Sequence, residues 1–277
     1  MMKRVLSWKN SALFYACTVL AITWLVTIIL FISPSLGLKL FSTVMFIPAV
    51  VAIIFKKLLY KGTNDLKQRF NLKSLIFGIC YPILFILLCA LLSQITGIGK
   101  FNVEKIPDSK MAITIVFTII VNLVTVLGEE YGWRGYLLPE LTKQIGKLKA
   151  TVIVGIIWAL YHAPAVYLLA KATGMSHPFL LCMVQACVAF TISFPISYCY
   201  YLSGNLIPVL FFHSIWNVTN TTVLGNIYTN KPGIVEGNLI VINAEGILGL
   251  VMGAITLYWF AKHLRKEHNM QHVTGMN

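Results

Sequence analysis

Apolar runs of about twenty residues, separated by short polar stretches, dominate this sequence. A run of that length crosses a hydrocarbon layer of ~30 Å as a helix. No water reaches the backbone there, and a helix satisfies its own N–H and C=O groups within one segment. Eight such blocks can be drawn, at roughly 12–33, 40–55, 74–96, 111–129, 150–170, 178–201, 206–226 and 245–261. The second is short and carries Pro48, which predicts a tilted or partly re-entrant segment. The stretch after the fourth block is amphipathic and predicts a short interfacial helix. Charged residues make up only 11% of the chain, against about 25% in soluble domains, which excludes a water-soluble globular enzyme. The expected fold is all-α: a polytopic membrane helix bundle of about eight transmembrane helices, forming a single integral-membrane domain over residues 1–277 with no linker long enough to divide it.

The formal charge is +13. In a soluble protein that excess suggests nucleic acid, but here the basic residues flank apolar blocks and report topology instead. With eight spans and a cytoplasmic N-terminus, 16 of the 22 lysines and arginines fall in inside segments. Both termini are therefore expected in the cytoplasm, the lipid bilayer is the expected partner, and no nucleic-acid role follows. The first block is too long for the apolar region of a signal peptide and is read as a retained span. Six cysteines, Cys17, Cys80, Cys89, Cys182, Cys187 and Cys199, all sit in apolar blocks with no Cys-x-x-Cys pair. They are expected to act as small buried hydrophobes. Gly249 and Gly253 in the last block have the spacing of a helix-packing surface.

Charge inside a bilayer costs about 2.5–3.5 kcal/mol even on the lenient insertion scale, so polar residues within the blocks carry the functional information. Three clusters stand out. Glu129 and Glu130 close the fourth block, and Arg134 lies four residues after Glu130, on the same helix face. Glu129 lies about 100° round the helix and is free to point elsewhere. Asn122, seven residues earlier, shares nearly the face of Glu129. Trp158 and His162 occupy one face of the fifth block, just before Pro164. His213 and Asn217, also four apart, line one face of the seventh.

A glutamate, two histidines and an asparagine, carried on three apolar helices, form a hydrolytic set. They fit either a metal site or activation of water by a Glu/His pair. As a metal set, Glu129, His162 and His213 supply three ligands but lack the local spacing of a zinc-binding helix. One Zn2+ and metal-free catalysis both remain open. Block boundaries place Glu129 at the inner end of its span and His162 roughly 17 Å deep in its own. That mismatch requires a tilted fifth helix, a wrong boundary or a pocket that reaches inward.

The ordered series Glu-Glu-x-x-x-Arg, aromatic-x-x-x-His and His-x-x-x-Asn resembles the CPBP (CAAX protease and bacteriocin-processing; Abi or Rce1-like) family of intramembrane proteases. The motifs lie within a core of about 111–226. The resemblance implies an eight-helix membrane fold and peptide-bond hydrolysis in a membrane cavity, with a peptide or membrane-protein substrate. It implies that Glu129 activates water with help from His162, and that His213 and Asn217 polarise the scissile carbonyl. Glu130 and Arg134 become a structural or substrate-orienting pair. Trp158 stands where the family usually has phenylalanine, a change expected to alter wall shape more than chemistry. The resembling family processes prenylated CAAX tails or bacteriocin-type peptides, and a plasma-membrane setting is expected. Two competing readings are an ion- or proton-coupled transporter, and a catalytically idle immunity or scaffold protein of the same fold.

Overall fold

A computed structural model describes residues 8–59 and 71–274. The basic residues Lys3, Arg4, Lys61, Lys67 and Arg69, used in the topology count, lie outside the described residues. The helices are α1 (Trp8–Leu30), α2 (Pro34–Leu40), α3 (Ile47–Leu59), α4 (Leu72–Ile95), α5 (Ser109–Gly132), α6 (Leu138–Ile145), α7 (Lys147–Ala172), α8 (Pro178–Tyr201), α9 (Leu206–Val223), α10 (Leu239–Ile242) and α11 (Ile247–Thr274). Two three-residue strands, β1 (Gly99–Phe101) and β2 (Val235–Gly237), pair antiparallel and join the loop before α5 to the loop before α10.

Among the described residues, seven helical segments are long and apolar enough to cross a membrane. The chain is an all-α, multi-pass membrane bundle. Of the predicted blocks, only the seventh is not among the seven segments. It forms α9, which is 18 residues long, but His213, Ser214, Asn217 and Asn220 lower its hydropathy. Leu84, Ile113 and Phe117 are 65%, 70% and 64% exposed. Side chains like these form the lipid-facing surface, where lipid supplies the apolar contact that a soluble core would provide. Polar side chains start several helices. Asn71, Asp108 and Asn205 each accept a hydrogen bond from the backbone N–H two or three residues on, at the N-termini of α4, α5 and α9.

The structure revises three boundary expectations. The second block is a broken span: α2 and α3 are joined by a 3₁₀ turn over Phe41–Phe46. This break approaches α5 closely at Gly128, where an added Cβ would lie 2.7 Å from the Met45 carbonyl. The amphipathic stretch after the fourth block is a direct continuation of α5, through a π turn at Trp133–Leu137 into α6, with Leu138, Glu140 and Leu141 buried. The last helix continues well past residue 261, to Thr274.

All six cysteines are free. Cys89, Cys182 and Cys199 are buried, whereas Cys17, Cys80 and Cys187 are exposed, contrary to the expectation of burial. Gly253 meets Thr191 of α8, as expected for helix packing, but Gly249 lies against the Ala244 backbone in the turn before α11.

The chain reverses between α6 and α7 at Gly146, whose φ of 80° suits glycine and strains other residues. The main buried cluster extends from Ala12 and Tyr15 of α1, through Trp133 and Trp158, to Ala244 before α11.

Candidate active site

Glu129, His162, His213 and Asn217 line one cavity of about 340 Å³ inside the bundle. Asn122, Tyr161, Tyr228 and Glu245 also line it, as do Phe41, Ser42 and Met45 of the broken span. The depth mismatch is resolved by the fourth boundary. Because the helix continues beyond Glu129, Glu129 and His162 stand at nearly equal chain distances on either side of the reversal at Gly146. Residues equidistant from such a reversal come to the same level.

Each predicted side chain is held in place by a specific partner. Glu129 is buried and accepts a hydrogen bond from the Trp158 indole Nε1 at 3.2 Å. Phenylalanine could fill this space but could not donate, so the tryptophan contributes chemistry as well as wall shape. The Trp158 ring also carries the Arg134 guanidinium at 4.4 Å and meets the His162 and His213 rings edge-on, with centroids 5.1 and 5.6 Å away.

His162 is half-buried, and its Nδ1 lies 2.8 Å from the Trp158 carbonyl. A carbonyl only accepts, so Nδ1 carries the proton and Nε2 is left to the cavity. Pro164, two residues on, has no N–H to bond the Leu160 carbonyl. That carbonyl instead accepts from Trp24 Nε1 of α1 at 3.0 Å, which ties α1 to α7 beside the site.

Glu130 and Arg134 form the expected pair at 2.9 Å, both with fully buried side chains. Arg134 also donates to Ser193 of α8 at 3.4 Å. The pair extends one step further than the spacing suggested. His213 Nδ1 lies 2.7 Å from Glu130 Oε1, so Glu130 orients the second histidine from a neighbouring helix. As at His162, Nε2 is the nitrogen left to the cavity. Asn217 Nδ2 reaches Asn122 Oδ1 at 3.4 Å, which links the asparagine flagged on the α5 face to the one on α9.

The zinc option tests poorly against this geometry. Among the described residues, no three His, Cys, Asp or Glu side chains converge as a metal ion requires, although Glu129, His162 and His213 share the cavity. The residues present do not fit a resident zinc.

Sequence reasoning missed the far wall. Glu245, 7% exposed, lies in the turn before α11. It accepts from Tyr228 Oη at 2.7 Å, and from Gln185 Nε2 and Asn220 Nδ2 at 3.4 Å each. Burial, and then the Glu245 charge, push the Tyr228 phenol well above its ordinary range, so it remains a donor at any working pH. The available signal was Glu245 itself, the one acidic residue between Glu236 and Glu267. It stands at the first position of the last apolar block, where a carboxylate marks the edge of a span.

Residues 111–219 match the family model for type II CAAX prenyl endopeptidases, Rce1-like. Over that segment the chain is similar to this family. The matched segment carries Glu129, Glu130, Arg134, Trp158, His162, His213 and Asn217, and ends before Tyr228 and Glu245. The CAAX prenyl protease 2 of Methanococcus maripaludis is 30% identical over 145 residues, 44% of this chain. The match spans 49% of that relative's length.

The Glu129 contact makes a prediction particular to this chain. Trp158→Phe preserves the aromatic wall and removes the indole donor. Hydrogen bonds to charged groups contribute about 1.5–3 kcal/mol, so kcat should fall about tenfold or more with KM nearly unchanged. A purely steric role for Trp158 would leave kcat within about twofold of the parent.

Proposed function

We propose that this chain is an intramembrane endopeptidase that hydrolyses a peptide bond in a membrane-associated peptide of prenylated-CAAX-like or bacteriocin type. The observation that supports this reading is the shared cavity of Glu129, His162, His213 and Asn217, inside a bundle otherwise built from apolar helices. The family-model match over residues 111–219 and the similarity to a CAAX prenyl protease point the same way.

In this mechanism a water molecule sits between Glu129 and His162. Glu129 takes one proton as the water oxygen attacks the scissile carbonyl carbon. His162, with its proton fixed on Nδ1 by the Trp158 carbonyl, accepts at Nε2 and aligns the water. Negative charge then grows on the carbonyl oxygen. The His213 ring, paired through Nδ1 with Glu130, can carry a second proton on Nε2 and donate a hydrogen bond through it to that oxygen while keeping the proton, and the Asn217 amide donates alongside. The tetrahedral intermediate collapses, the C–N bond breaks, and the leaving amine takes the proton held by Glu129. The Glu130–Arg134 pair holds His213 and does not touch substrate.

We read residues 1–277 as one integral-membrane domain in the plasma membrane, with both termini cytoplasmic as the lysine and arginine distribution indicates.

The test compares membranes of cells with and without the chain, by mass spectrometry of released peptides. A product that requires the chain and disappears with Glu129→Gln is expected. No difference between the two membranes, or a product that persists in the variant, would defeat the endopeptidase reading. Metal dependence is separable. Purified protein dialysed against a chelator should keep its activity within about twofold, and a tenfold loss restored by zinc would reinstate the metal.

A further inference from the structure

The cavity has two acidic poles of different character. At the first, Glu129 lines the cavity and accepts from the Trp158 indole, whose face carries the Arg134 guanidinium paired with Glu130 behind it. At the second, Glu245 receives only neutral donors, from Tyr228, Gln185 and Asn220. Among the described residues Glu245 has no cationic partner, and no lysine or arginine lines the cavity. Gln185, 3% exposed, gives its amide N–H to Glu245, which leaves its Oε1 buried without a protein hydrogen bond. Turning the amide over would set Oε1 against the carboxylate, two acceptors face to face, so the orientation with Oε1 free is the favourable one. Glu245, Tyr228, His162, His213 and Asn217 also line an adjoining cleft that contains Gln185, so the second pole opens on the same space as the proposed chemistry.

A buried carboxylate without a counter-charge, beside an unused amide oxygen, is a site for a cationic nitrogen. Charge-assisted hydrogen bonds to such a group are short and strong in a water-poor setting. We propose that Glu245, with Tyr228 and Gln185, forms a specificity subsite for a lysine or arginine side chain of the substrate peptide, close to the bond that is cut. This rests on the endopeptidase reading and names the substrate feature that reading leaves open.

The test uses the full-length chain in liposomes of zwitterionic lipid, which gives basic peptides no surface attraction. The substrates are N-acetylated apolar peptides carrying lysine, arginine or the uncharged isostere norleucine at one scanned position, and acetylation removes the terminal amine as a competing cation. At one register, kcat/KM for the basic peptides should exceed that for norleucine at least about tenfold. Glu245→Gln, nearly isosteric, should bring the ratio within about twofold of one, and Glu245→Asp should preserve the bias. Equal rates at every register, or a bias that survives Glu245→Gln, would overturn the subsite while leaving the endopeptidase intact. If the parent chain cuts no peptide, the endopeptidase reading fails by itself. The subsite is then read by binding, as retention of the lysine peptide over the norleucine peptide on Glu129→Gln protein. Equal retention overturns it, and a lysine preference abolished by Glu245→Gln supports it.

Discussion

Glu129→Gln should lower turnover by about 10²–10⁴-fold, the usual contribution of a general base, with the fold intact. The substitution suits this site. Among the described residues Glu129, which is buried, forms no ion pair, and it accepts a hydrogen bond from the Trp158 indole at 3.2 Å. A glutamine carbonyl still accepts that hydrogen bond, so wall and packing persist and only the capacity to take a proton is lost. The measurement is kcat of the purified variant beside its thermal midpoint. A rate within about tenfold of the parent, at unchanged midpoint, would remove Glu129 from the role of base. Glu130→Gln is the control with the opposite signature. Glu130 bonds both Arg134 and His213, so its loss should lower the midpoint as well as the rate.

Arg134→Met should strongly destabilise the bundle. Removing one partner of a buried ion pair costs about 3–5 kcal/mol, because the remaining charge stays buried. Here that charge is Glu130, fully buried, with only His213 left to meet it. The Trp158 face would also lose its cation. The expected result is a large fall in folded yield and thermal midpoint. Adding Glu130→Gln to Arg134→Met should restore much of the stability, since the stranded charge is gone, but not the activity, since His213 loses its orienting carboxylate. A double variant no more stable than Arg134→Met would refute the stranded-charge account.

The helix bundle was legible from the apolar blocks because membrane burial imposes a length and a composition that no soluble core imitates. The helix-face arithmetic also anticipated real contacts. Glu130 meets Arg134 along one helix, and Asn122 meets Asn217 across two. What hydropathy could not give was the level of each residue. The block ended at Glu129 because polar residues follow, yet those residues, Arg134 among them, are buried against other helices rather than in water. Pairwise chemistry between spans was equally hidden. No spacing rule links Glu130 to His213, 83 positions apart, or Trp158 to Glu129, 29 positions apart. Glu245 was lost for a similar reason, since a single carboxylate at a helix start reads as a boundary until the opposite wall is seen.

The division of the cavity along the chain has an evolutionary consequence. Every group assigned to bond cleavage lies within the family-matched segment, whereas Phe41, Ser42, Tyr228 and Glu245 come from outside it. Under the proposed function, selection can therefore diversify what is admitted without rewriting how it is cut. A chimera that grafts the loop bearing Tyr228 and Glu245 onto a homologue should transfer preference while the recipient keeps its own reaction.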